Sequence, residues 1–483
     1  MSLETLEIRV RKELELLAYP AAAWVPERAG PDGPLLDVLV IGGGQGGLAV
    51  AFALKRQRVN RVRVIEQKPA GAEGPWLDTA RMITLRSPKE VTGPDLGFPS
   101  LTFQAWFEAQ HGEQAWHELT KIAKEDWAAY LAWFRTITEL KVENGVLFEK
   151  VEPYADGHLV AHLLHLSDNR RETVATRKIV LATGIEATGR WWAPEIFDSL
   201  DQSFWCHTGD QIDFTTLKDM RVAVVGAGAS AFDNASAALE AGAAKVSVLC
   251  RREALQRVQP FKLISFPGFL GHFEALDDRW RWRFMNYLLT IREAFPRETW
   301  ERASQHAGFE LICDAEVSAV EVRSGKVLLT SCAGEFEADF VIVGTGFDVD
   351  MRLRPELSGI AETAALWSER YTPPAVEENA RLGRYPYLSS TFEFQEKTEG
   401  SAPWLKHVRL FTYGSTVSFG PSGASINAMK FAVPKLVGGV VRDLFLEDVE
   451  AHYQALTDYQ LPEFLLPGED PALLAPAKPV VDR

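Results

Sequence analysis

The sequence predicts an α/β protein built from two strand–turn–helix–strand units, the second inserted into the first. The first unit, VLVIGGGQGGLAVAFALKR, spans 38–56, and the second, MRVAVVGAGASAFDNASAALEAGAAKVSVLCRRE, spans 220–253. Two short turns of similar sequence, A-T-G at 182–184 and G-T-G at 344–346, each follow a buried strand. A glycine-rich turn between an apolar strand and an alanine-rich helix is typical of Rossmann-like dinucleotide-binding domains. We therefore expect two such domains in one chain.

The length and composition indicate a soluble globular protein of more than one domain. The 483 residues exceed one ordinary core, and 46% of them are hydrophobic and 24% charged. The net charge of −15 disfavours nucleic acid and anionic membrane surfaces as partners. No apolar run approaches the roughly 20 residues of a membrane helix, and the N-terminal MSLETLEIRVRKELELL is unlike a signal peptide. The expected location is cytoplasmic.

The four cysteines give no sign of a dithiol or metal centre. Cys206, Cys250, Cys313 and Cys332 are scattered, and no C-x-x-C occurs. A dithiol reductase needs two neighbouring thiols, and a zinc site needs paired ligands. We expect reduced thiols that fill core space, and no metal.

Shifts in composition divide the chain into four parts. An amphipathic helix and a Pro/Gly-rich link precede the first strand, and we expect this arm to pack over the body or a partner subunit. The predicted limits are 1–34 for the helical arm, 35–215 for the first domain, 216–338 for the second domain with an aromatic insert at about 253–309, and 339–483 for the return to the first domain and a C-terminal tail.

In the first unit, each glycine has a separate expected role. Gly42 permits the tight turn, Gly44 lets a pyrophosphate approach the backbone, and Gly47 lets helix and strand pack closely. The helix N-terminus then offers free N–H groups and a positive dipole end to the phosphates. The next strand, VRVIE, ends at Glu66, whose carboxylate can accept hydrogen bonds from an adenosine ribose.

The stretch after Glu66, from 71 to 110, is long, irregular and rich in glycine, proline and aromatic residues. Such a segment in a compact domain is usually functional or disordered, and its aromatic content disfavours disorder. The alternative is that these aromatic residues only seal the core. The candidate cofactor-side or substrate-side residues are Trp76, Arg86, Ser87, Lys89, Trp106 and Phe107.

The second unit repeats the first with one substitution. Gly226 and Gly228 match the first two glycines, and Ala231 stands in the third place, where a small residue suffices for helix packing. Because two complete units in one chain are unlikely to arise by chance, we predict a second nucleotide site here.

The end of the second unit differs from the first in charge. Glu66 lies 24 residues after Gly42, and the same spacing after Gly226 reaches Cys250, which Arg251 and Arg252 follow. The acid that would repel a 2′-phosphate is absent, and two guanidinium groups lie beside its place. We expect the second unit to prefer NADP, although two arginines on a solvated strand end are the alternative.

The insert is unusually aromatic. Trp280, Trp282, Phe284 and Tyr287 do not follow one helical stripe, so the segment presents aromatic rings on more than one face. It is the best candidate for a substrate lid or a subunit contact. The alternative is a helical pair that closes the second core.

Near the C-terminus a strand leads through Gly414 and Ser415 into a small-residue turn, 420–423, and an apolar helix. Backbone N–H groups of such a turn can hold a ring edge or ribityl hydroxyls, and Ser422 is the candidate contact. A plain helix N-cap is the alternative.

The order of these motifs resembles that of the two-dinucleotide-binding flavoproteins, and within them the class B flavoprotein monooxygenases. The resemblance extends over nearly the whole chain after Pro34, and rests on VIGGGQGG, on VVGAGAS with Ala231, and on the two turns at 182–184 and 344–346. The segment LRSPKEVTGPDLGFP is also similar to a loop of the flavin-containing monooxygenases, with Lys89 and Glu90 in matching places.

Two departures from the family pattern concern the substrate and the flavin. The Baeyer–Villiger fingerprint has Phe and Gly before its His and Trp after it, whereas DQSFWCHTGDQ has Asp201 and Ser203 before His207 and Gln211 after it. Ketone oxidation is therefore disfavoured. Arg86 stands where the flavin-containing enzymes have an Asn before their Lys-Glu pair.

The resemblance implies an NADPH- and FAD-dependent monooxygenase. NADPH in the second domain would reduce FAD in the first, and O2 would add to give a flavin hydroperoxide that oxygenates a small soft nucleophile, an amine or a sulfide. The implied FAD contacts are Gly42, Gly44, Gln45, Gly47, Glu66, Gln67 and Trp76; the NADP contacts are Gly226, Gly228, Ser230, Arg251 and Arg252; Thr345, Gly346 and Ser422 are further cofactor contacts; Arg86 and His207 surround the flavin and nicotinamide.

Other readings stay open at this point. The chain is alternatively an NADPH-dependent flavoprotein reductase without oxygenation, or a Baeyer–Villiger enzyme, and a non-catalytic flavin-binding protein is the least favoured option. A dimer or tetramer is usual in the resembled families.

Overall fold

The computed structural model describes residues 1–30, 33–154, 157–423 and 425–468, except for the side chains of 422 and 423. The predicted tail beyond 468 lies outside the described residues. Within those ranges, no helix combines the length and the apolar character that a membrane crossing requires.

The strands and helices follow the predicted order. The strands are β1 Ala29–Gly30, β2 Gly33–Pro34, β3 Leu36–Ile41, β4 Val62–Glu66, β5 Glu143–Asn144, β6 Val146–Pro153, β7 Leu159–His165, β8 Arg170–Leu181, β9 Gly189–Trp191, β10 Trp205–His207, β11 Arg221–Val225, β12 Lys245–Leu249, β13 Phe309–Ile312, β14 Val317–Arg323, β15 Lys326–Ser331, β16 Gly334–Ala338, β17 Phe340–Val343, β18 Phe347–Val349 and β19 Val408–Leu410. The helices are α1 Leu3–Leu16, α2 Gln45–Arg56, α3 Phe103–His111, α4 Glu113–Glu118, α5 Lys124–Ile137, α6 Ala229–Glu240, α7 Phe261–Ile264, α8 Pro267–His272, α9 Asp278–Ile291, α10 Arg297–Ser304, α11 Ser358–Thr363, α12 Trp367–Arg370, α13 Ala380–Gly383, α14 Thr416–Phe419, α15 Ile426–Glu447 and α16 Val449–Asp458.

The first sheet has the order β5-β4-β3-β8-β7-β6, and β19 pairs with β8. The strands β5, β4, β3, β8 and β19 run parallel, whereas β7 and β6 form an antiparallel extension. The parallel strand β3 is almost wholly buried, because helices cover both faces of such a sheet. Since β19 follows the whole second sheet in sequence, the second dinucleotide unit is inserted into the first, as predicted.

The second sheet is parallel, with the order β10-β17-β11-β12-β13. The predicted limits of 35–215 and 339–483 assign β10 and β17 to the first domain, whereas both strands pair within the second sheet. The four-residue strand β17 pairs with β11, and the three-residue strand β10 pairs with β17. Both short strands therefore extend the second parallel sheet at one edge and belong to the second domain. A separate antiparallel sheet, β14-β15-β16, covers this unit.

The N-terminal arm packs over the body, one of the two predicted outcomes. Leu6 and Val10 of α1 are buried in the first core, and the exposed Arg9 pairs with Glu13 on the outer face. The following link is fixed at its end by Arg28, which forms an ion pair with the buried Asp448. The arm therefore belongs to the same folded body as the first sheet.

The aromatic insert packs against the C-terminal return segment. Trp282, Met285 and Leu288 of α9 are buried in one cluster with Trp367 and Tyr385. At its other end, the insert packs on the second core, where Phe295 lies 4.3 Å from Phe232 between ring centroids. Trp280, Phe284 and Tyr287 stay exposed on α9. The expectation of a helical pair that closes only the second core is therefore too narrow, because the segment joins both parts.

Candidate active site

A cavity of about 680 Å³ lies between the first glycine turn, the loop that follows Glu66, the end of β8 and the start of α6. It adjoins residues from both dinucleotide units, because α6 of the second unit faces the open end of the first. The predicted site residues that line it are Gly42, Gly44, Gln45, Glu66, Gln67, Trp76, Arg86 and Ser230.

The first glycine turn is packed so closely against backbone atoms that Gly42 and Gly47 have no room for a side chain. Gly42 has φ +108°, and a Cβ there would lie 2.4 Å from the Ala182 carbonyl oxygen. A Cβ on Gly47 would lie 1.8 Å from the Gly42 carbonyl oxygen, so α2 approaches β3 directly. Gly44 differs, because its Cβ would meet nothing nearer than 3.9 Å and would project into the open space of the cavity. That is the space a pyrophosphate requires.

Glu66 ends β4 with its carboxylate fixed beside this turn. Its Oε2 accepts a hydrogen bond from the Gly43 N–H at 2.8 Å, and its Oε1 accepts one from the Lys68 N–H at 2.9 Å. The side chain is buried at the cavity wall. Each carboxylate oxygen accepts more than one hydrogen bond, so Glu66 retains acceptor capacity for ribose hydroxyls.

The Gln45 and Trp76 side chains complete this end of the cavity. The Trp127 Nε1–H donates to Gln45 Oε1 at 3.2 Å, which fixes the amide at the start of α2. Trp76 is buried against Trp127, with ring centroids 6.4 Å apart. Among the loop candidates, Trp106 and Phe107 lie instead on α3 in the buried aromatic core, so the structural alternative holds for those two.

The second glycine turn repeats the geometry of the first. Gly226 has φ +113°, and a Cβ there would lie 2.3 Å from the Gly344 carbonyl oxygen. A Cβ on Gly228 would meet nothing within 4 Å among the described residues. Ser230, the second residue of α6, lines the large cavity, whereas Gly226 and Gly228 lie beyond its lining.

The two arginines after β12 have different surroundings. Arg252 Nη1 donates to the Ile291 carbonyl at 2.8 Å and its Nη2 to the Thr290 carbonyl at 3.1 Å, so this guanidinium holds the end of α9. Arg251 is exposed at the carboxyl edge of the second sheet. Of the two, Arg251 is therefore the better placed to meet a 2′-phosphate.

Arg86 links the two dinucleotide units across the cavity. Its Nη2 donates to Oδ2 of Asp233 on α6 at 2.7 Å, and both side chains line the cavity. Burial raises the pKa of Asp233, while the cations Arg86, Arg302 and Lys124 act in the opposite direction. A buried carboxylate thus fixes the position of a half-exposed guanidinium.

His207 lies behind the cavity wall. Its ring stacks on Trp191, with centroids 5.3 Å apart and planes at 26°, and Trp191 is the residue that lines the cavity. The Gly209 N–H donates to His207 Nδ1 at 3.0 Å. Burial lowers the pKa of His207 to about 4, so its imidazole is neutral at pH 7. In this structure His207 supports Trp191 and does not reach the cavity itself.

Polar groups of the turn at 344–346 form hydrogen bonds with the backbone of Trp192. The Thr345 hydroxyl donates to the Trp192 carbonyl, and the Trp192 N–H donates to the Gly346 carbonyl at 2.9 Å. Neither residue lines the large cavity. Ser422 belongs to the 3₁₀ turn Gly420–Gly423, and its side chain lies outside the described residues.

Sequence reasoning missed several cavity residues, of which Asp233 carries the most chemistry. Asp233 is the one acid among the buried residues of α6, and a buried acid needs a partner. That signal was present in FDNASAAL, but the partner, Arg86, is 147 residues away. Other missed residues include Asn234, Trp191, Phe411 and Met429.

Comparisons with known proteins extend this picture. Residues 39–265 match the pyridine nucleotide-disulphide oxidoreductase family. The chain is 40% identical over 466 residues to the FAD-dependent urate hydroxylase of Xanthomonas campestris pv. campestris, covering 96% of this chain and 98% of that protein.

Solved structures share the fold at low sequence identity. The ornithine hydroxylase of Pseudomonas aeruginosa superposes with a TM-score of 0.66 at 16% identity, covering 85% of this chain and 100% of that one. The Kutzneria sp. 744 ornithine N-hydroxylase, solved with reduced FAD, NADP⁺ and L-ornithine, gives a TM-score of 0.65 at 16% identity, with coverage of 85% and 100%.

The duplicated glycine turns, the inserted second sheet and the full-length similarity to an FAD-dependent hydroxylase agree with the resemblance seen in the sequence. The chain belongs to the class B flavoprotein monooxygenase family and is an FAD-dependent oxidoreductase.

Proposed function

We propose that the protein is an NADPH-dependent flavoprotein monooxygenase that hydroxylates a small, electron-rich molecule. The observation that carries this proposal is the single cavity of about 680 Å³ shared by the first glycine turn and by α6 of the second unit. A flavin and a nicotinamide in one enclosed space can exchange a hydride directly and can protect an oxygenating species from water.

The residues at the first turn fit FAD. Gly44 leaves its Cβ position open to the cavity, the N-terminus of α2 offers N–H groups, and Glu66 retains acceptor capacity for a ribose. Gln45, Gln67 and Trp76 continue the same wall and would contact the bound dinucleotide. Bound FAD would supply the transfer of electrons to O2, and the oxygen-adding step implied by the family resemblance stays a prediction.

NADPH is the proposed electron donor. Gly228 leaves open space at the start of α6, and the exposed Arg251 follows a buried cysteine where the first unit has Glu66. A guanidinium without a competing acid favours a phosphorylated ribose. Thr345 and Gly346 would act through the backbone of the turn that abuts Gly226, rather than as side-chain ligands.

The proposed reaction balances with one substrate, O2 and NADPH plus a proton. One oxygen atom enters the substrate as a hydroxyl group, the other leaves as water, and NADPH supplies two electrons. The related hydroxylase is named for urate, an electron-rich heterocycle. Urate-type heterocycles are therefore the first candidate substrates, and the amines and sulfides expected from the wider family are the second.

The test is a substrate screen on the freshly purified protein with FAD bound. Urate, amines and sulfides are each supplied with NADPH, and NADPH use, O2 use and oxygenated product are measured together. The proposal expects product in a 1:1 ratio to NADPH with one substrate class. NADPH oxidation with no oxygenated product from any class would favour the reductase, and background NADPH oxidation would favour a non-catalytic flavin protein.

The quaternary structure and the domain limits stay predictions. A dimer or tetramer is proposed from the family resemblance, and light scattering of the purified protein measures it. Because β10 and β17 pair within the second sheet, limited proteolysis before β10 and after β17, rather than near 215 and 339, would test where the chain divides between the two domains.

A further inference from the structure

Arg86 presents a cation to the cavity with most of its donors unused. Within the described residues, its guanidinium makes one hydrogen bond, from Nη2 to Asp233 Oδ2 at 2.7 Å. Its side chain is 40% exposed and lines the cavity. An arginine carries five N–H donors in one plane, so four remain for a ligand.

Asp233 positions Arg86 at the cavity and also interacts with two other cations. Arg302 lies 4.0 Å from Asp233 Oδ1 and forms two hydrogen bonds of 2.7 Å with Glu240. Lys124 also acts on the Asp233 carboxyl and donates to the Ala80 carbonyl. Asp233 therefore interacts with three cations, of which Arg302 is already paired with Glu240, whereas Arg86 has no second acid within ion-pair distance among the described residues.

Other arginines of the cavity are committed elsewhere. Arg81 donates to the carbonyls of Asp78 and Asp210, and Arg354 pairs with Glu356 through two hydrogen bonds to Oε1. Among the described arginines that line the cavity, Arg86 is therefore the one whose guanidinium makes a single hydrogen bond and has its other N–H donors available to a ligand.

Other parts of the cavity lining suit a flat ring. Trp191, Phe411 and Met429 supply apolar surface to the same cavity. A guanidinium plane can form two parallel hydrogen bonds with an O–C–N edge that carries negative charge, as it does with a carboxylate. A planar, anionic nitrogen heterocycle combines both features.

We propose that Arg86, positioned by Asp233, binds the anionic edge of a planar heterocyclic substrate and sets the preference of the enzyme for anions over neutral rings. This inference rests on the proposed hydroxylase function and deepens it. Urate carries one negative charge at neutral pH, whereas hypoxanthine is a neutral ring of similar size, so the two form a matched pair of probes.

The experiment measures both binding and turnover. Each probe is titrated into the oxidised holoenzyme, and its dissociation constant is taken from the change in flavin absorbance. Arg86→Ala is expected to raise the dissociation constant for urate about tenfold or more and that for hypoxanthine less than about threefold, because only the anion loses a charge-assisted hydrogen bond. Arg86→Lys is expected to restore part of the preference.

Two further variants separate positioning from charge. Asp233→Asn keeps the size of the side chain but removes the charge that pairs with Arg86. We expect a loss of urate affinity between that of the wild type and that of Arg86→Ala, with a change in KM larger than that in kcat. Arg354→Ala removes a paired cavity arginine and is expected to change the two probes equally.

The outcomes distinguish the inference from the function on which it rests. Equal changes for urate and hypoxanthine in Arg86→Ala, or no change, would overturn the role of Arg86, and an equal change would assign Arg86 to the cofactors instead. Urate that binds through Arg86 without a hydroxylated product would refute the proposed function alone. A wild-type protein that binds no urate would overturn both.

Discussion

Gly226 lies directly against Gly344, so that a Cβ on Gly226 would be 2.3 Å from the Gly344 carbonyl oxygen. Gly42 and Ala182 have the same relationship in the first unit, at 2.4 Å. In both units, the turn that follows a parallel strand, β8 in the first and β17 in the second, places a backbone carbonyl in contact with the first glycine. The A-T-G and G-T-G turns thus have a packing function that explains why they occur as a pair.

Replacing Gly226 with Ala should disrupt the second unit. The new Cβ would overlap the Gly344 carbonyl, and φ +113° disfavours an L residue, which alone costs about 1–2 kcal/mol. We expect a lower unfolding temperature and loss of flavin reduction by NADPH, while FAD stays bound by the first unit. Calorimetry and FAD content after gel filtration measure these effects.

Gly228→Ala is the matched variant, because its Cβ meets nothing within 4 Å in the described protein. We expect normal stability and a raised KM for NADPH, since the methyl group occupies the phosphate space. If both variants unfold at the same temperature as the wild type, the packing argument for Gly226 is wrong.

Replacing Glu66 with Gln should weaken FAD retention. The carboxylate accepts hydrogen bonds from the Gly43 and Lys68 N–H groups beside the cavity, and the neutral amide is a poorer acceptor for ribose hydroxyls. We expect FAD affinity to fall about tenfold, as measured by fluorescence titration of the apoprotein. Glu143→Gln on the neighbouring strand removes the same charge from an exposed ion pair, and its FAD affinity should match the wild type.

Replacing Arg251 with Ala should alter the choice of nicotinamide nucleotide. An exposed guanidinium at this position favours the 2′-phosphate, so the KM for NADPH should rise much more than that for NADH. Steady-state NAD(P)H oxidation measures both. Arg252→Ala loses the contacts to the Thr290 and Ile291 carbonyls and should affect stability more than nucleotide choice. Equal KM changes in Arg251→Ala would remove its phosphate-reading role.

His207 should contribute to acid sensitivity. Burial lowers its pKa from 6.5 to about 4, so the folded protein resists protonation that the unfolded chain accepts. Above pH 6.5, His207 is neutral in both the folded and the unfolded chain and does not make stability depend on pH. As the pH drops from 6.5 through 4, the unfolded chain takes up the proton first, and the free energy of unfolding falls by roughly 3 kcal/mol. Urea unfolding of wild type and His207→Gln at pH 7 and pH 4.5 measures the difference.

The His207→Gln variant cannot be protonated at residue 207, so its free energy of unfolding should decline less than that of the wild type between pH 7 and pH 4.5. The exposed His117 provides the control, and His117→Gln should follow the wild type. A His207→Gln protein with an unchanged pH dependence would contradict the assignment. His407, whose pKa burial also lowers to about 4, contributes to the wild-type curve and is retained in both variants.

The sequence by itself determined the two dinucleotide units, because their signal is local. A buried strand, three small residues at fixed spacing and an alanine-rich helix lie within some 20 neighbouring residues. Gly42, Gly47 and Gly226 occupy the positions of these turns where a Cβ atom would collide with the backbone. The order of the motifs likewise determined the insertion of one unit into the other.

Only the tertiary structure decided what meets in the cavity. Arg86 and Asp233 are 147 residues apart, and no periodicity connects a loop of one unit with a helix of the other. His207 and Arg252 were candidates on sequence, but packing put the first behind Trp191 and used the second to hold α9. The physical reason is that backbone turns are encoded by adjacent residues, whereas the pairing of distant side chains depends on how the two sheets are docked.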